Sequence, residues 1–278
     1  PVFRKIPINE ITPKDIRKWQ NSLTAYRDEN GKPYSQTYLK AINNQLTAMF
    51  NYAVKYYDLH ENPCTKAGSM GKSHAEEMNF WTKAEFEQFI VAVQDKPASY
   101  TAFMTLYYTG MRVGELCALT PADVNLVGHT ITINKTFQRI NGRDVIWPPK
   151  TPKSNRVVTI PQTLANCLKE YMDKCYEIQP DDRLFPYTKS FLNHEMLRGC
   201  KKSGVKKIRV HDLRHSHASL LIEMGCQPLL IADRLGHEKI QTTLNTYSHL
   251  YPNKQAEVAA QLENVMNGTT VPNGSQMA

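Results

Sequence analysis

Residues 67–79, AGSMGKSHAEEMN, interrupt every periodicity around them: glycine, serine and charge follow one another with no apolar stripe. Such a stretch reads as a linker. It obliges a chain of 278 residues to build two hydrophobic cores rather than one. On its N-terminal side the spacing predicts a small all-helical unit over 1–66. Thr12 is a helix N-cap with Pro13 at the first helical position, and Ile16, Trp19, Leu23 and Tyr26 recur behind it at helical intervals. A second helix follows NGKPYS with an apolar face of Tyr38, Ile42, Leu46, Met49, Phe50, Ala53 and Val54. It stops near HENP, because the residue before a proline avoids the helical region.

From about residue 80 a second domain begins. Thr82 and Glu85 form a capping box ahead of Phe86, Phe89, Ile90 and Val93. An aromatic-rich helix near 99–108 leads into TGMRVGELCALTPADV, after which the pattern changes to alternation. HTITINKTFQRI, an Asn141–Gly142 turn and RDVIWPP predict the two strands of a hairpin, and NRVVTI predicts a third strand. Helical patterns return at 161–177, 189–199, 212–224, 228–236 and 240–250. The fold class expected is therefore mainly α with one small antiparallel β-sheet (α+β). In the tail, NKQAEVAAQLENVM carries Val258, Leu262, Val265 and Met266 on one stripe. Two readings of it stay open: a helix folded on its own domain, or one docked on a neighbouring molecule.

The 34 Lys+Arg exceed the 26 Asp+Glu to give a net charge of +8, which favours a polyanionic partner but is shared by many basic enzymes. No apolar stretch approaches the roughly 20 residues that span a bilayer, and PVFRKIPINE lacks the apolar core of a signal peptide. The expectation is a soluble, cytoplasmic protein with no membrane partner. Six cysteines lie far apart without a CxxC pair, as in a reduced chain.

VHDLRHSHASLLIEMG sets His211, Arg214, His215 and His217 on the first turns of an amphipathic helix, where a metal site, a phosphate site and plain surface decoration compete. The zinc-hydrolase pattern needs Glu after its first histidine, and here that residue is Asp212. No third ligand offers itself by spacing. The preceding run, RGCKKSGVKKIRVHDLR, sets Arg198, Lys201, Lys202, Lys206, Lys207, Arg209 and Arg214 against a single Asp212. It enters a helix start whose free N–H groups favour an anion, and a guanidinium there grips two phosphate oxygens in a planar fork. Three more segments stand out. Arg112 lies between Gly110 and Gly114, as an anion contact or as a buried arginine paired with Glu115. PPKTPKSNRVVTI is a phosphate-facing lysine turn or a charged hairpin tip. In RLGHEKIQTTLNTYSHL, His237 follows a glycine and Tyr247 follows in turn, as chemistry or as an aromatic packed inward.

In order and interval, TGMRVGEL, KTPKSNRVV, HDLRHSHAS, LGH and TYSH resemble the tyrosine recombinase (phage-type integrase) family over nearly the whole chain. The closest likeness is to integrases of conjugative transposons and phages of Gram-positive bacteria. The resemblance implies a two-domain C-shaped DNA clamp: a helical core-binding domain (1–66), a linker (67–79), a catalytic domain (80–252) and a tail (253–278) whose helix docks on a neighbouring protomer. It implies Arg112 and Arg214 as a phosphate clamp, Lys150 as the hairpin lysine with Lys153 as a nearby competitor, His211 and His237 as the two histidines, and Tyr247 as the nucleophile. His211 would accept the phenol proton or organise its hydrogen bond. Glu115 and Asp212 would orient partners, His217 and the residues after it would hold the helix in place, and His215 carries no assignment. Neither a cofactor nor a metal is called for. The implied partners are double-stranded DNA at element ends and target sites, further copies of the chain as a tetramer in the synaptic complex, and a directionality factor or DNA-bending protein. Since the chain begins at Pro1, the resemblance also raises an upstream arm-binding domain. A regulator that keeps this fold without cutting would retain the whole set by accident. A type IB topoisomerase-like nicking enzyme would share the tyrosine chemistry, and products joining two duplexes separate the two.

Overall fold

The computed structural model describes residues 2–72, 79–149 and 151–251, together with Ala259, Glu263 and Met266. It divides into two compact units, Pro1–Met78 and Asn79–Ala278.

The first unit holds α1 (Pro13–Ala25), α2 (Gln36–Tyr56) and α3 (Pro63–Ala67). Local chemistry sets each start. Thr12 and Asp15 cap α1 reciprocally with Pro13 next to the cap, the Ser35 hydroxyl accepts from Tyr38 N, and the Asn62 carbonyl accepts from Cys64 N. Ile16, Phe50, Cys64 and Ala67 form the core, with Phe3, Ile11, Leu46 and Leu59 packed on it. The expected face of α2 is corrected: Leu39, Asn43, Phe50 and Ala53 are buried, whereas Tyr38, Met49 and Val54 are exposed. Part of the buried stripe is polar, which an apolar count cannot see. Gln20 Nε2 donates to Asn43 Oδ1 and to Gly68 O, both at 2.8 Å, which links the buried amides of α1 and α2 while Gln20 Oε1 has no partner. Tyr38 joins Tyr34 and Tyr26 in a surface ladder of rings instead.

In the second unit, α4 (Lys83–Ala92) opens on the Thr82–Glu85 capping box. Next come α5 (Pro97–Thr109), the short α6 (Val113–Leu116), α7 (Gln162–Lys174), α8 (Lys189–Ser203), α9 (Leu213–Glu223), α10 (Pro228–Leu235) and α11 (Ile240–Tyr247). Trp81 is fully buried just before α4. Its backbone N–H donates to the Ser216 hydroxyl at 2.9 Å and its indole N–H to Lys206 O at 2.8 Å. The start of the unit is thereby fastened to α9.

The single expected sheet is two. HTITINKTFQRI is split into β2 (Thr130–Ile133) and β3 (Thr136–Ile140). Between them Lys135 turns its Nζ to the Asp123 carboxylate at 2.6 Å and the Thr120 hydroxyl at 3.2 Å. β3 makes the hairpin with β4 (Arg143–Trp147) across Asn141 and Gly142, both at positive φ as a two-residue turn of this kind requires. β2 pairs instead with β1 (Val124–Asn125) and β5 (Arg156–Thr159), antiparallel in the order β1-β2-β5. Ile131 sits opposite Val158 in that register and both are buried. The pairing delivers the end of the lysine turn and Arg156 to the edge of the helical layer. Of the tail stripe, Val258, Leu262 and Val265 lie outside the described residues, while Ala259, Glu263 and Met266 are helical.

The core of the first unit is small, so it is sensitive to a cavity. Phe50→Ala should cost about 3–5 kcal/mol and lower only the unfolding transition of the first unit in denaturant, leaving that of the second unit in place.

Candidate active site

Arg112 ends the turn after α5 and serves as the N-cap of α6. The chain reverses at Gly110, whose φ of 66° closes α5. A Cβ there would lie 2.5 Å from His217 Cδ2, so a side chain is excluded by conformation and by space. Arg112 Nη1 donates to Glu115 Oε1 at 2.8 Å and its backbone N–H to Oε2 at 2.8 Å. The pairing with Glu115 is thus real, yet 39% of the Arg112 side chain stays open. The arginine is paired with Glu115 but not buried.

Glu115 is buried and also receives Arg156, with Nη2 on Oε2 at 2.8 Å and Nη1 on Oε1 at 3.2 Å. Burial alone would raise its pKa; the fork from Arg156 and the Arg112 contacts outweigh it and hold the carboxyl below its usual value. Arg156 Nε continues to Arg234 O at 2.9 Å. In this way β5 is tied to α10.

Arg214, on the first turn of α9, is buried and donates to Gly110 O at 2.8 Å and to Leu235 O at 2.6 Å. Two of its five N–H groups are therefore spent on backbone, which fixes the guanidinium plane. Burial, then the charges of Arg112 and Arg156, pull its pKa down to about 9, and it stays cationic at neutral pH. Arg112, Arg156 and Arg214 thus lie within electrostatic reach of one another, with Glu115 bonded to the first two. His237 comes in just after α10, behind Gly236 at φ 69°, where a Cβ would lie 3.0 Å from Arg156 Nη1. Its Nδ1 is 2.7 Å from the Thr243 hydroxyl. Burial and the charges of Arg214, Arg112 and Arg156 press it to about 4. His211 is exposed in the turn before α9, and partial desolvation followed by the Arg214 charge lowers it.

Tyr247, at the end of α11, is 1% exposed, and burial pushes its phenol up to about 12 against the pull of Arg214. Its Oη is 2.7 Å from Nδ1 of His215. The hydrogen bond expected for His211 belongs to His215. His211 is one ring further out, edge-on to His215 with centroids 5.7 Å apart. Asp212 spends its carboxylate on Arg209, at 2.7–3.1 Å, rather than on a member of the cluster. His217 is buried, and its Nε2 accepts from Arg234 Nε at 3.1 Å, as a residue that holds the helix. Lys150 lies outside the described residues. Lys153 is exposed, and its carbonyl O would lie 3.1 Å from a Cβ at Gly236, which sets this turn against the α10–α11 junction that carries His237. Among the described residues no group of three histidine, cysteine or acidic side chains is placed to hold a metal ion, and no helix is long and apolar enough to cross a membrane.

A model of the phage integrase family matches residues 79–254, and one of the phage integrase N-terminal SAM-like domain matches residues 1–24. The chain belongs to the phage integrase family. It is a site-specific tyrosine recombinase, an enzyme that cleaves and rejoins DNA. This integrase is 31% identical to the ICEBs1 integrase of Bacillus subtilis (strain 168) over 95% of its own length and 74% of the relative's. With the integrase of Staphylococcus phage L54a it shares 29% identity over 93% of its length and 81% of the relative's. Its fold resembles that of the Tn1549 transposon integrase solved in complex with a circular intermediate DNA, with a TM-score of 0.74, 21% identity, and 93% and 87% of the two chains covered.

Two members of the integrase's site escaped the sequence reading. Arg156 was only one arginine in a basic turn, although its place at the start of the β5 pattern was a signal that it enters the fold. His215 was visible but unassignable, because its partner lies on another helix. Glu115 carries a pH signature. Its folded value is depressed, so its stabilisation is complete above the ordinary carboxylate value and is lost as pH falls through the folded one. Glu115→Gln should strand the buried Arg156 and cost about 3–5 kcal/mol at pH 7. In denaturant titrations the gap from wild type should close on acidification below about pH 4.

Proposed function

We propose that the integrase excises and integrates a mobile element by attack of Tyr247 on a DNA phosphodiester. The observation that carries the reading is one cluster: Tyr247, Arg112, Arg214, His211 and His237 come from four segments of the chain to a region where burial, then the arginines' charge, holds both histidines down. Tyr247 Oη would bond to phosphorus, the 5′-oxygen would leave, and a covalent 3′-phosphotyrosine would store the bond energy until the 5′-hydroxyl of a partner strand reverses the step. Arg112 and Arg214 meet the charge that grows on the non-bridging oxygens, with their planes already fixed by Glu115 and by backbone carbonyls. His211 and His237 contact the phosphate. Lys150, assigned from its place in PPKTPKSNR, gives the leaving 5′-oxygen its proton.

Double-stranded DNA at element ends and target sites is the substrate, and exchange between two duplexes through a Holliday junction calls for a tetramer of this chain. Support comes from solved relatives of the same fold: one is a lambda integrase dimer bound to a core site, at a TM-score of 0.59. The 1–66 unit would bind DNA beside the core site, the 253–278 tail would dock on a neighbouring protomer, and a directionality factor or bending protein would set the outcome. The work takes place in the bacterial cytoplasm.

The test is incubation with duplexes from the ends of the element that encodes the chain, scoring covalent adduct on denaturing gels and products that join two duplexes. Tyr247→Phe should abolish the adduct and leave binding intact; an adduct that survives places the nucleophile elsewhere. Arg112→Lys keeps the charge but not the planar fork, so cleavage should fall by much more than affinity. Equal losses in the two measurements would make Arg112 a binding residue only.

A further inference from the structure

We propose that His215 is the base that takes the phenol proton as Tyr247 attacks DNA. The inference rests on the reading of Tyr247 as the nucleophile and assigns a residue that the motif pattern leaves blank. Nδ1 of His215 lies 2.7 Å from Tyr247 Oη, the reacting atom, with the rings inclined at 60°. The role of base requires the phenol as donor and the neutral Nδ1 as acceptor, the tautomer with the ring proton on Nε2. Tyr247 is sealed from solvent, and water does not compete for the role.

The surroundings explain why the proton stays on the phenol until DNA arrives. His211, Asp212, Arg209 and Arg214 face His215 from its own segment, Tyr247 from α11 and His237 from beside α10. Only Asp212 among them is an anion, and its carboxylate is spent on Arg209. Burial and the neighbouring His211, with the two arginines, hold His215 near 4. A phosphodiester seated between Arg112 and Arg214 brings the missing negative charge and offsets the cations that keep the imidazole neutral. Base strength thus rises when the substrate binds.

In the forward step the Oη–P bond forms, the Oη proton passes to His215 Nδ1, and the P–O5′ bond breaks. The 5′-oxygen takes its proton from a different group, assigned above to Lys150. In rejoining, the incoming 5′-hydroxyl loses its proton along that route reversed. The P–Oη bond breaks, and the His215 imidazolium returns its proton to the phenolate.

His215→Asn keeps an acceptor near the position of Nδ1 but cannot take the proton. On a nicked element-end duplex, it should bind DNA as wild type does and form the Tyr247 adduct about 100-fold or more slowly. Its rate should climb with pH as the phenol ionises unaided, whereas the wild-type rate stays flatter. Replacing the bridging 5′-oxygen by sulfur gives a leaving group that needs no proton, and it should not rescue the variant. Rescue by sulfur would move His215 to the leaving-group side, and an adduct rate within about threefold of wild type would reduce it to packing; either result overturns the proposal. Should His215→Asn bind DNA poorly, His215→Gln is measured in its place under the same criteria. Wild-type protein forming no adduct, or Tyr247→Phe retaining one, would sink the nucleophile reading itself, an outcome distinct from a wild-type-like His215 variant.

Discussion

A single buried carboxylate, Glu115, organises the catalytic unit. Charge removed from water must be paired or it is prohibitively costly, and this one is paired twice, with Arg112 beside it and with Arg156 on a distant strand. Arg156 then reaches the Arg234 carbonyl, so α6, β5 and α10 are registered against one another through one side chain. Without that registration, Arg112 would be a flexible cation at the surface. With it, the guanidinium is set in place beside Arg214 before any ligand is present.

The surplus of positive charge around this carboxylate is the working feature of the site. Arg112, Arg156 and Arg214 are held near His211 and His237, and the second local acid, Asp212, is occupied with Arg209. Burial first, and this charge after it, press the histidines involved below their ordinary range. Such a cluster works against folding and persists because strong local bonds fix each member. On the function proposed, the return is an anion site whose dipoles and charges do not have to reorganise when a phosphate enters.

Much of this was legible in one sequence, for local reasons. Thr12 with Asp15 and Thr82 with Glu85 mark helix starts through contacts three residues apart, and Asn141–Gly142 marks a turn that only such residues make. The order of Arg112, His211, Arg214, His237 and Tyr247 marked the family. What stayed hidden depends on partners remote in the chain. The strand break at Lys135 follows from Asp123, the rotated face of α2 from Gln20 meeting Asn43, and the contact of His215 with Tyr247 from another helix. Spacing arguments place His211 and His215 on one face equally well, and only the fold decides which of them meets the phenol.

The arginines at the heart of the unit lean on main-chain oxygens: Arg214 on Gly110 and Leu235, Arg156 on Arg234 and Ser154, and Arg234 on Tyr108 and Thr159. Half of the scaffold is therefore written in atoms that every amino acid possesses. Side-chain scanning at the exposed Thr159 would leave its oxygen in place and report the position as tolerant, whereas at the fully buried Leu235 it would report only the lost packing and still miss the carbonyl. Outside the Glu115 and His217 contacts, what holds these arginines is the path of the backbone and not the identity of the residues along it.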